Sequence, residues 1–191
     1  GLDTITTGGG ADSIVLDGGL TTSIDTITDF TTGALGDQFD MDESQLQTNG
    51  LVIAGTTIDL VELQDASATA ASDTIVIQEV ADQGSGVAVA ANAGANVFVL
   101  LTETYLNVGA MVDGIETGDH ELTSAAGVDV DDGFMVVWSN GTTAVLSLVS
   151  VDNGGTADFA AAELVGNDLA ITGSNTSISA GEFTTANFSF I

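Results

Sequence analysis

Carboxylates are the side chains with chemical reach in this 191-residue chain: 28 Asp and Glu stand against no Lys, no Arg, no Cys and one His. Acceptor oxygens in that proportion suit the ligation of a hard divalent cation above any other chemistry. Their spacing points the same way. Gly1, Asp3 and Ile5 recur nine residues later as Gly10, Asp12 and Ile14. A glycine at positive φ can bring backbone carbonyls close to an ion, the Asp adds its carboxylate, and the Ile turns inward to a core.

The charge balance sets limits on partners. A formal net charge of −28 without one cationic side chain destabilises a compact state by self-repulsion unless bound metal or salt offsets it. Nucleic acid is excluded as a partner, because phosphate binding works through Lys and Arg that release counterions. Anionic membrane surfaces are excluded on the same ground. No apolar stretch approaches the roughly 18 to 20 residues of a membrane helix; Val97 to Leu101, "VFVLL", is the densest. With no Cys, stability must come from core, sheet and metal, and the redox compartment is not readable.

Other arrangements that could do chemistry fail on inspection. His120 and Glu121 begin a zinc-protease pattern, but Ser124 stands where the second His belongs, and the lone His in "GDHE" reads as an exposed loop residue. Asp129, Asp131 and Asp132 before Gly133 open like a helix-loop-helix calcium loop, yet the Glu that should close such a loop is not there, which makes this a solvated turn. There is no Cys nucleophile, no G-x-S-x-G elbow, no cationic oxyanion clamp, and the Ser residues lack a plausible His partner. The expectation is a non-catalytic chain. "NGT", "NTS" and "NFS" are glycosylation sequons by pattern, of a kind that arises by chance in a chain rich in Asn, Ser and Thr.

Thr7 to Val15, "TGGGADSIV", resembles the calcium-binding nonapeptide of repeats-in-toxin proteins at Gly8, Gly10, Asp12 and Ile14, with Thr7 in place of its first glycine. The resemblance implies a parallel β-roll in which two nonapeptides make one coil and calcium sits between turns 18 residues apart. Downstream that pairing fails, since positions 21 and 30 are Thr and Phe, so Asp3 and Asp12 are expected to find partners before Gly1, in the last coils of a longer roll, or to bind calcium weakly. "IDTITDFTTGALGDQFDM" is similar to the segment that closes such rolls, and the likeness adds Asp25, Asp29, Asp37 and Asp40 to Gly1, Asp3, Gly8, Gly10 and Asp12 as candidate calcium ligands. It covers about residues 1 to 42. Over residues 73 to 191 there is a more general likeness to the carboxy-terminal regions of proteins exported by type I systems, whose signal lies at the chain end.

Turn residues alternating with short β-branched runs predict a mainly β fold. Four runs share one local order, Asp3, Asp12, Asp25 and Asp73 each standing two residues before an inward Ile. A helical period places Tyr105, Val108, Met111 or Val112, and Ile115 on one face, with Thr104 as cap and Gly118 as stop. Asn140-Gly141 predicts a type I′ hairpin whose Phe134, Val136 and Trp138 share one face and Met135 and Val137 the other; apolar on both faces, it belongs inside a sandwich or under the helix. The tail aromatics Phe183, Phe188 and Phe190 read as a core strand. The expected organisation is the end of a calcium-binding β-roll with its cap over 1–65, a linker over 66–72, and a sandwich-like β domain with one short helix over 73–191.

These readings converge on the carboxy-terminal part of a secreted protein at the cell surface, with calcium as cofactor and a homo-oligomeric or surface assembly as its state. It would serve as a surface-layer or filament subunit, structural or adhesive, exported by a type I system through its chain end. The alternative is the export and folding appendage of a secreted protease or lipase.

Overall fold

A computed structural model describes residues 2–16, 24–41, 52–53, 56–57, 59–60, 75–92, 95–123, 132–151, 159 and 164–190. Their strands are β1 (Thr4–Ile5), β2 (Ser13–Leu16), β3 (Asp25–Ile27), β4 (Gln38–Met41), β5 (Val52–Ile53), β6 (Thr56–Thr57), β7 (Asp59–Leu60), β8 (Ile77–Ala81), β9 (Val89–Ala90) and β10 (Val97–Thr104). Helix α1 (Val108–Thr117) follows, then β11 (Leu122–Thr123), β12 (Asp132–Ser139), β13 (Thr143–Val151), β14 (Leu164–Ser174), a 3₁₀ turn at Thr185–Asn187 and β15 (Phe188–Phe190). The chain is mainly β, as its composition predicts.

The main sheet runs in the order β1-β3-β14-β13-β12-β10-β8, with β7 against β12. It is mixed, β13 lying antiparallel between β12 and β14. A second sheet, β15-β4-β2, is wholly parallel. Between the two sheets lies one core, holding Ile14, Ile27, Phe39, Met135, Val137, Phe183 and Phe188. On the far face of the main sheet α1 covers a second core with Met111, Val112 and Ile115 against Phe98, Phe134, Val136 and Trp138. The split of the β12 side chains is the one their alternation predicts: both faces of that strand are buried, one by the second sheet and one by the helix.

All four Asp-x-Ile runs direct their Ile to the inter-sheet core. Ile14 and Ile27 are buried there, and Ile5 and Ile75 pack against its margin. The pairing interval differs from the 18 residues of the roll that the nonapeptide implies. Thr4 pairs with Thr26 and Ser13 with Gln38, intervals of 22 and 25 residues. The extra residues lie between β2 and β3 and in the wider turn before β4, so the Asp-Thr-Ile-Thr of β1 stacks on the identical tetrapeptide of β3. The coil that carries Asp3 and Asp12 thus stacks on a downstream coil of the same chain.

The carboxy-terminal residues complete this arrangement. β14 pairs in parallel with β3 through Ala170 and Asp25, and β15 pairs in parallel with β4 through Phe188 and Phe39. Residues 170–190 therefore follow the same path as the two earlier coils: a strand in the main sheet, a broad turn, a strand in the second sheet. The expected linker at 66–72 lies outside the described residues, and strands from both sides of it share one sheet and one core. Phe183 and Phe188 are core residues, as the tail pattern predicts.

Two local expectations shift. Helix α1 begins three residues later than its periodicity suggests, because β10 runs on to Thr104; Asn107, not Thr104, is the cap, its Oδ1 accepting the Ala110 N–H at 3.0 Å. Gly118 ends it. In the hairpin, Gly141 has φ 88° while Asn140 stays out of the left-handed region, so the type I′ turn is not formed. The Asn140 Oδ1 accepts instead from the N–H groups of Thr142 and Thr143, both at 2.9 Å, which moves the bend one residue on.

Candidate functional site

The acidic positions singled out in the sequence meet where the turn of the first coil, residues 6–12, stacks on that of the second, residues 28–37. Gly8 at φ 96° and Gly10 at φ 132° give the first turn the backbone that the motif requires. Its N–H groups point down onto carboxylates of the second coil. Asp3 N–H donates to Asp25 Oδ1 at 2.9 Å. Thr7 and Gly8 N–H donate to Asp29 Oδ1 and Oδ2, each at 2.8 Å, and Asp12 N–H donates to Asp37 Oδ1 at 3.0 Å. The N–H donors of Thr7, then Gly8, hold the Asp29 carboxyl below its ordinary pKa.

Asp37 is the hub. It has no exposed surface, and besides Asp12 its carboxylate accepts the Thr31 N–H at 2.8 Å and the Thr7 hydroxyl at 3.4 Å. Asn187 of the third coil, equally buried, clamps the same turn. Its Nδ2 donates to the carbonyls of Asp37 at 2.8 Å and Gly33 at 3.2 Å, while its Oδ1 accepts the N–H groups of Gly33 and Thr184, both at 3.0 Å. In the sequence Asn187 shows only as part of a sequon, although Thr184 and Asn187 have the spacing of a capping motif. With its amide enclosed, Asn187 cannot carry a glycan in the folded protein.

Each predicted ligand can now be placed. Gly1 lies outside the described residues. Asp25, Asp29 and Asp37 are engaged by N–H donors, the role a cation would otherwise fill. Asp3 contributes its N–H and keeps an exposed side chain. Asp12 and Asp40 differ: Asp12 Oδ2 and Asp40 Oδ1 are buried with no hydrogen-bond partner, although Ser13 Oγ donates to the other oxygen of Asp40. An acceptor buried in that way is costly unless a cation or water meets it. Among the described residues no three His, Asp or Glu side chains converge on one point, so an ion there would rest on one carboxylate and the carbonyls of its turn. Those two residues fit such an ion, whereas Asp25, Asp29 and Asp37 each spend carboxylate oxygen on backbone N–H donors.

Of the remaining candidates, Asp129 and Asp131 lie outside the described residues. His120 is fully buried rather than exposed. Its Nε2–H donates to the Leu101 carbonyl at 3.1 Å, which leaves Nδ1 to accept the Tyr105 hydroxyl at 2.6 Å. Leu101 O is offered at a bulge, where Thr102 takes φ 67° and the pairing of β10 with β12 slips. Burial holds the imidazole below its ordinary pKa and pushes the Tyr105 phenol up. A second buried relay runs from Trp138 Nε1–H to Ser147 Oγ at 2.8 Å and on to Asp168 Oδ1 at 2.6 Å. Both relays lie within the protein, His120 and Ser147 having no exposed surface. Among the described residues no helix is long and apolar enough to cross a membrane. No family model, curated protein or solved structure matches this chain.

Proposed function

We propose that this chain is a non-catalytic, calcium-stabilised part of a secreted cell-surface protein resembling the repeats-in-toxin class, working as a structural or adhesive subunit of a surface layer or filament. The observation that carries the reading is the pair of buried, unpartnered carboxylate oxygens, Asp12 Oδ2 and Asp40 Oδ1, in a chain with no Lys or Arg to neutralise them. Calcium takes six to eight oxygens and accepts turn carbonyls beside a carboxylate, so Asp12 and Asp40 would hold it. When bound it would supply positive charge between the stacked acidic turns. A site in about hundredfold excess of calcium over its Kd adds about 2.7 kcal/mol to stability. Low calcium inside the cell would leave the chain extended for a type I exporter, and high calcium outside would fold it.

A calcium titration followed by circular dichroism, with metal analysis of the folded protein, tests this. Folding should require calcium, and Asp12→Ala should raise the requirement about tenfold. Full structure after exhaustive chelation in dilute buffer would refute the reading. A second reading, the folding appendage of a secreted protease or lipase, is favoured by the way residues 170–190 close the stack. Analytical ultracentrifugation separates the two: a surface subunit multimerises on adding calcium, an appendage stays monomeric.

A further inference from the structure

Between the turns of the second and third coils lies a cleft of about 430 Å³, within the range of roughly 300 to 1,000 Å³ typical of ligand sites. We propose that it binds a neutral sugar of one or two rings, an inference that rests on the adhesive side of the reading above and gives it a ligand class. The walls are fixed before any ligand arrives. On one side Asp29 is held by Thr7 and Gly8; on the other, Glu182 accepts the Ser179 N–H at 2.8 Å and the Asn175 side-chain amide. Where the walls meet, Gly173 has no room for a Cβ, which would stand 2.6 Å from the Thr28 carbonyl. A preformed site avoids the ordering cost that weakens binding by loops.

The lining selects the ligand. Asp29 and Glu182 retain acceptor capacity, since a carboxylate offers about four lone-pair sites and these use three and two. The Thr32 hydroxyl can both give and take hydrogen bonds, and that of Thr31, which donates to the Asp29 carbonyl at 3.5 Å, keeps its acceptor positions. Phe30, half-buried, lines the same space and is braced by stacking on Phe39 with ring centroids 4.3 Å apart. A ligand rich in hydroxyl donors with an apolar C–H face meets all three. Phosphates, sulfates and carboxylates find no cation here, and a bare amine would be drawn to the whole acidic surface without needing the ring or the hydroxyls.

The test is saturation-transfer NMR and calorimetry on the full chain in calcium-containing buffer, with the methyl glycosides of glucose, galactose, mannose and N-acetylglucosamine as probes. At least one should bind with a Kd on the order of 1 mM. Thr32→Trp, which fills the cleft, should abolish binding, and the milder Thr31→Val should weaken it about fivefold while circular dichroism stays unchanged. Silence from all four sugars, or binding indifferent to Thr31→Val, overturns the proposal. A silent panel in protein that still folds with calcium removes the cleft and leaves the calcium reading standing.

Discussion

The acidic residues of this chain divide by what their oxygens meet. Asp37 is buried against the N–H groups of Thr31 and Asp12, so Asp37→Ala strands both and should cost on the order of 3 kcal/mol in urea unfolding. Asp37→Asn, which keeps one acceptor oxygen, should lose less; equal losses would mean that the donors are not what holds the turn. His120 contributes the pH dependence just below neutrality. Its folded pKa lies below the ordinary 6.5, so the unfolded chain takes up the proton first. The stability this neutral imidazole represents is present above pH 6.5 and is lost as pH falls from there through the folded value. His120→Gln should flatten that part of the pH profile of the thermal midpoint, and an unchanged slope would assign it to other groups.

At the scale of elements, close approach decides what the periodicities leave open. Helix α1 lies against β14 at Gly166, where a Cβ would stand 2.5 Å from Val108 Cγ2 and 2.9 Å from Val112 Cγ2. Gly166→Ala must lift the helix from the sheet and should destabilise by about 2 kcal/mol, read in thermal or urea unfolding; a neutral result would show the helix free to slide. The apolar positions of α1 are legible from spacing because a helix in contact with one face obeys a 3.6-residue period. Its start is not legible, because β10 continues through a bulge at Thr102, held by contacts from distant residues: Thr102 N–H donates to the Ile178 carbonyl at 3.1 Å and Leu101 O accepts from His120. The hairpin shifts for a similarly local reason, since the Asn140 side chain outcompetes the turn type its dipeptide favours.

Across the whole molecule the two ends of the chain are interdependent. The turn that presents Asp37 is closed by Asn187, 150 residues away, and the inter-sheet core needs Phe183 and Phe188. Asn187→Ala removes five hydrogen bonds, three to the turn at Gly33 and Asp37 and two to Thr184, and should cost about 2 to 3 kcal/mol, unfolding both coils of residues 4–41 in one transition with the rest. Hydrogen exchange checks this: protection of the β1 and β3 amides should fall together with that of β14, whereas protection lost in residues 4–41 alone would mean that the stack is a separate unit.

The amino-acid order by itself determined the mainly β character, the inward Ile of each Asp-x-Ile run, the two-faced burial of β12, the positive-φ glycines at Gly8 and Gly10, and an acidic chemistry without cations. All of these depend on residues within a few positions of one another, where period and backbone freedom act directly. Tertiary structure alone decided the 22- and 25-residue stacking, the return of residues 170–190 as a third coil, the enclosure of His120, and which carboxylates are spent on N–H donors. Those outcomes depend on contacts between distant segments, and local preference carries no information about which turn lands on which.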